Sequence, residues 1–200
     1  MSTSVATAQR QFTARMRFFH WLTAAIVLTM LGIGVAMVAS LADYHRLVSI
    51  HRPLGILILI VVVIRFVNRH YSTLPPFPAT MSPQERSVAS ASELFLYALL
   101  VLQPLAGWGM LSAARYPIVL FGSIHLFPIL PHNVMLYALL HKAHTVLAYL
   151  LFLTFLAHFG AVLFHTWVVR DGTFSRMAPW SLPRYAMTAS LKTLKNKRRS

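Results

Sequence analysis

Between Leu139 and Val169 the sequence stays apolar for longer than a bilayer is thick, and it sets His144 and His158 fourteen residues apart inside that run. Hydrocarbon offers no partner to a bare peptide group, so a segment of this kind crosses it as an α-helix that pairs its own backbone. Fourteen residues of helix rise about 21 Å through almost four full turns, which puts both imidazoles on one face at two depths. An ionisable or ligating side chain is costly to hold there and marks a candidate functional site.

Three more apolar runs follow the same logic: Phe18 to about Leu41, His51 to Val67, and Glu93 to Ala113. With 57% hydrophobic and 11% charged residues in 200, the chain is too apolar to cover itself as an ordinary soluble domain. The expected fold is all-α, a transmembrane four-helix bundle. The first run lacks a small-residue cleavage site and is long enough to span, so it is expected to stay as a signal anchor. Lys and Arg number 18 against four acidic residues, a formal charge of +14. In a soluble chain that would suggest nucleic acid; here it lies mainly at the ends and in the middle loop, so topology explains it and no nucleic-acid partner is expected. Positive charge stays inside, which predicts cytoplasmic N and C termini in a bacterial inner membrane.

Three regions result: a cytoplasmic segment 1–17 with Arg10, Arg15 and Arg17, a four-helix domain 18–170, and a basic cytoplasmic tail 171–200 ending in Lys192, Lys195, Lys197, Arg198 and Arg199. The tail suits anionic lipid headgroups or a plain solubilising end equally well. Pro53 is expected in the first turn of span two, where its missing N–H is harmless. Residues 68–92, with Pro75, Pro76, Pro78 and Pro83, read as a loop, and Pro104 as a kink in a third span that packs rather than ligates. Residues 114–138, with Tyr116, Phe121 and Phe127, are apolar but too interrupted to span; they are expected to fold back over the outer mouth of the bundle.

The alternation of spans sets which histidines meet. His20, at the inner start of span one, is level with His158, and His51, at the outer start of span two, is level with His144. No cysteine is present, which excludes disulfides, iron–sulfur clusters and covalent haem attachment. Paired imidazoles at two levels suit two non-covalent b-type haems: an inner one on His20 and His158, an outer one on His51 and His144. A zinc or copper site would need its ligands to converge, and the fourteen-residue spacing separates them. Arg65, fourteen residues after His51, falls at the inner level as a candidate propionate partner. His141 competes with the deeper His144 as ligand; His165 lies near the inner surface with no settled role; His45, His70, His125 and His132 are expected at the surface.

These residues resemble the bacterial cytochrome b561 family: Phe19-His20-Trp21, Ile50-His51 with Gly55 and Arg65, Pro104 and Gly107, and His144, His158 and His165. Arg170-Asp171-Gly172-Thr173 and Arg176-Met177-Ala178-Pro179 resemble the family's ending, so the likeness covers about residues 14–180. It implies the same four axial ligands and a di-haem membrane cytochrome. One branch of the family oxidises periplasmic superoxide and reduces ubiquinone, and Arg46, Arg115 and Lys142 with the loop histidines would make the outer face cationic enough to draw an anion. A second role implied by similar proteins is a cytochrome b subunit relaying electrons between quinone and a partner dehydrogenase or hydrogenase. Catalytic residues are not assigned. For quinone, Arg15, Arg17, Trp21 and Trp167 on the inner side and Trp108 on the outer remain alternatives.

Overall fold

A computed structural model describes residues 11–78, 80–120 and 122–180. Arg10, Phe121 and the tail cations from Lys192 onward lie outside the described residues. Helix α1 (Ala14–Ala39) is followed by α2 (Tyr44–His70), α3 (Pro83–Ala113), a hairpin of β1 (Ile118–Leu120) and β2 (Ile124–Leu126), α4 (Val134–Phe164) and α5 (Thr173–Met177). A π-helical turn, His165–Val169, prolongs α4. Four of these helices are long and apolar enough to cross a membrane, and the fold is a transmembrane four-helix bundle.

Local chemistry sets the helix ends. Thr13 accepts the amide of Met16 at the start of α1, and Asn133 that of Leu136 at the start of α4. At α3 the Ser82 hydroxyl accepts from the Glu85 amide while the Glu85 carboxylate accepts from the Ser82 amide. This capping box starts the helix at Pro83, ten residues before the predicted boundary. At 31 residues α3 is about 46 Å long, so its polar first turns extend past the hydrocarbon. Pro53 is also a correction, because α2 begins at Tyr44 and the proline lies inside the helix rather than in its first turn. The same extension places His45 on α2.

The buried core sits midway along the bundle: Ile26 and Val27 of α1, Ile58, Val61 and Val62 of α2, Leu99 and Leu100 of α3, and Leu151 of α4. Val27, Ile58 and Leu151 lie seven residues beyond His20, His51 and His144 respectively, so the core is an apolar floor between two histidine levels. Within lipid, such packing holds helices by contact rather than by water exclusion. Helix α1 packs on α2, α2 on α3 and α3 on α4, whereas α4 makes hardly any close backbone approach to α1 or α2. Leu151 is accordingly the one buried residue of α4. The two ends of the described chain meet: the Phe12 amide donates to the Arg176 carbonyl at 3.1 Å, and the Trp21 indole to the Met177 carbonyl at 2.8 Å.

Candidate functional site: two imidazole pairs across the bundle

Helix α4 presents its histidines across the gap to α1 and α2. The rings of His20 and His158 lie 6.5 Å apart between centres, and those of His51 and His144 6.2 Å apart. The sequence-derived matching of levels brings together these same partners. One metal ion bridging two imidazoles at about 2 Å to each nitrogen would hold ring centres roughly 6 Å apart. Among the described residues no three His, Asp or Glu side chains converge, so each pair offers two nitrogens and no third donor.

His144 is oriented by α3. Its Nδ1–H donates to the Gln103 carbonyl at 3.0 Å, which leaves Nε2 as the acceptor, and the Gln103 side-chain amide donates to Nε2 at 3.3 Å. A ligating histidine is commonly fixed in this way, by giving its second N–H to a carbonyl. The close approach depends on Gly107, because a Cβ there would stand 3.2 Å from His144 Cε1. His51 faces the same space with a buried Nδ1 that has no partner.

At the other level the Arg65 guanidinium lies 3.1 Å from His20 Nδ1 and 5.2 Å above the Tyr97 ring. Arginine only donates, so Nδ1 accepts here and a neutral His20 carries its proton on Nε2. Arg65 thus reaches the level its spacing predicted.

A flat macrocycle needs open volume beside each pair, and α1 leaves some. Gly34 lies fourteen residues after His20, on the same face, and a Cβ there would meet nothing within 4 Å. The unpartnered His51 nitrogen, the 6 Å ring spacings and the stand-off of α4 together fit a haem between each pair.

The remaining histidines separate cleanly. His141 is exposed and packs on the Tyr137 ring at 5.9 Å, away from the pair that His144 forms. His132 meets the Ala113 carbonyl at 2.8 Å through Nδ1, and His45, His70 and His125 are exposed. His165, left without a role by the sequence, is held by Asp171: Nδ1 lies 2.7 Å from the carboxylate, whose other oxygen accepts the Thr173 amide at 2.9 Å. Burial alone would raise the Asp171 carboxyl, but the hydrogen bonds from Thr173 and His165 outweigh it and hold the group below its ordinary value. Arg170 and Gly172 turn the chain here with φ of 56° and 74°, and the six-residue interval from His165 hid the contact. Sequence reasoning also missed Gln103, and the Arg69–Glu93 ion pair at 2.8 Å. An Arg-and-Glu pair at the facing ends of spans two and three was the available signal.

Four spans with imidazoles facing each other across the interior make a multi-pass membrane electron-transfer protein. Residues 11–180 match the prokaryotic cytochrome b561 family, and the chain belongs to it. Membership brings b-type haem as the cofactor. The chain is 32% identical over 173 residues to cytochrome b561 homolog 2 of Escherichia coli K12, covering 84% of this chain and 92% of that one. Cytochrome b561 homolog 1 of the same organism is 24% identical, with 84% and 97% covered. A Yersinia pestis protein named "Probable superoxide oxidase CybB" is 27% identical, with 80% and 91% covered.

Proposed function

We propose that this chain is a two-haem oxidoreductase that takes single electrons from superoxide and delivers them to ubiquinone, with His20 and His158 as ligands of one haem and His51 and His144 of the other. The observation that carries this reading is the pair of imidazole spacings, 6.5 and 6.2 Å, at two levels of one bundle. Haem iron supplies reversible one-electron uptake. The overall reaction balances as two superoxide, one quinone and two protons giving two dioxygen and one quinol.

The protein's own residues do the rest. Gln103 fixes the His144 tautomer, and Gly107 admits the ring. Ligation through His20 Nε2 would require the proton on Nδ1, which repels the guanidinium, so Arg65 is then available to an acidic group such as a propionate at this level. At the end of the bundle bearing His51 and His144, Arg46, Arg115, Lys142, His45, His125 and His132 are exposed, and Asp43 is the one carboxylate there among the described residues. That surface favours an anionic donor. Opposite it, the chain ends are taken as cytoplasmic, with 1–17 and 171–200 flanking an 18–170 domain in a bacterial inner membrane. The likeness to the Yersinia protein supports the choice of donor.

The test is stopped-flow absorbance of the oxidised, haem-loaded protein mixed with a superoxide source. Fast haem reduction that superoxide dismutase abolishes, followed by reoxidation on adding a ubiquinone analogue, is the expected result. Haem that ignores superoxide would reject this donor and turn attention to a redox partner subunit.

A further inference from the structure

Where the two ends of the described chain meet, a pocket of about 10 Å³ is lined by Arg65, Asn68 and Arg69 of α2, Glu93 and Tyr97 of α3, Met16 of α1 and Met177 of α5. That is close to the least space that holds one water. The Asn68 side-chain amide nitrogen points into buried surroundings with no partner. Glu93 and Tyr97 sit one turn apart on α3, so they stack along one face. Arg65 stands at the His20 level, its guanidinium 3.1 Å from Nδ1 in this structure and 5.2 Å from the centre of the Tyr97 ring, and Glu93 meets Arg69 at 2.8 Å. The Glu93 side chain is 34% exposed, at the point where α3 emerges beyond its apolar length. These polar groups therefore extend from the level of one imidazole pair to the end of the bundle.

Among the four carboxylates of the chain, Glu93 alone lines this cavity. Asp43 is at the opposite end, Glu85 belongs to the exposed cap of α3, and Asp171 is engaged with His165. Around Glu93, α2 contributes Arg65 and Arg69 and α3 contributes Tyr97; α1 and the α5 segment contribute only Met16 and Met177. Arginine does not release its proton and tyrosine does so only near pH 10, which leaves Glu93 as the group lining this pocket that can exchange a proton.

We propose that Glu93 is the proton-accepting group linked to electron arrival at the His20–His158 site. The proposal rests on the assignment of those two histidines as haem ligands. An electron held there adds one negative charge beside Arg65, which then compensates Glu93 less well; the carboxylate takes one proton from the aqueous phase at this end, becomes a carboxylic acid, and restores the local charge. When the electron leaves, the proton leaves. The electron is the one supplied by superoxide in the proposed reaction. Quinone reduction consumes one proton per electron, which matches this stoichiometry.

Spectroelectrochemical titration of the haem-loaded full chain at a series of pH values tests the link. One of the two midpoint potentials is expected to fall with rising pH, approaching a tenfold change in the reduction equilibrium per pH unit, about 59 mV for one electron. In Glu93→Gln that potential becomes independent of pH while the other is unchanged. A wild-type slope retained in Glu93→Gln overturns the proposal, and so do two flat potentials in the wild type, which need no variant. Should Glu93→Gln not fold, the reduced-minus-oxidised infrared spectrum of the wild type decides. A protonated carboxyl band that appears on reduction supports Glu93, and its absence rejects it. His158→Ala, titrated in parallel, tests the ligand reading by itself. If it keeps both haems that reading fails, whereas one haem lost and a wild-type slope in Glu93→Gln defeats only the role of Glu93.

Discussion

Gly107 shows how much one missing methyl group can matter at a site built on a neighbouring helix. A Cβ placed 3.2 Å from His144 forces the ring to give by a few tenths of an ångström, and the ring is at the same time hydrogen-bonded to the Gln103 carbonyl one turn away. Gly107→Ala should therefore weaken retention of the haem proposed at the His51–His144 level roughly tenfold, in the range seen when residues that orient metal ligands are altered. Helix propensity favours alanine by about 1 kcal/mol, so the apoprotein should be no less stable. Haem content per protein and thermal unfolding of the apoprotein, measured together, check this: loss of fold along with haem would mean that Gly107 serves packing instead. The four ligand candidates could be picked from the sequence because an imidazole in an apolar run is conspicuous. Gln103 could not, since a glutamine in a helix interior carries no sign of whether its backbone carbonyl meets another helix.

Elements began and ended where local hydrogen bonding, rather than hydrophobicity, set the boundary. The apolar run placed the third span at Glu93, but Ser82 and Glu85 cap the helix ten residues earlier, and the Ser-Pro-Gln-Glu motif was there to be read. The corner after α4 was less legible. Its π-helical turn and two left-handed residues bring Asp171 back onto His165, a contact that no helical periodicity predicts. Because the folded state holds the Asp171 carboxyl below its ordinary value, the contribution of this clamp is present above about pH 3.9 and is lost as pH falls through the folded value. Asp171→Asn should cost about 2 kcal/mol at pH 7, as for a hydrogen bond to a charged group. Unfolding midpoints of the two proteins should converge on acidification below about pH 4. A gap that persists unchanged in acid would show that the carboxylate charge is not what holds the corner.

For the whole molecule, the connection of four spans puts both described ends on one side, and the Phe12–Arg176 and Trp21–Met177 hydrogen bonds tie them together. Basic termini and a basic middle loop predict that this side is the cytoplasm. A reporter active only outside the cytoplasm should be silent when fused after Ser200 and active when inserted in the hairpin turn at Gly122–Ser123. The reverse pattern would invert the bundle and place the cationic end away from a periplasmic donor. The gap between α4 and its neighbours also belongs to this scale. Helices that alternate through a bilayer pack against whichever neighbour offers shape, and α4 took α3, leaving its histidine face open toward α1 and α2.

Periodicity and bilayer length, both properties of the chain alone, were enough to read four spans, the two depths of histidine and the partners within each pair, because helical rise converts residue number directly into height. Height says nothing about azimuth. That His144 and not His141 turns inward, that Arg65 meets His20, and that Glu93 pairs with Arg69 depend on how each helix is rotated about its axis. Rotation is set by side chains interlocking between segments far apart in sequence.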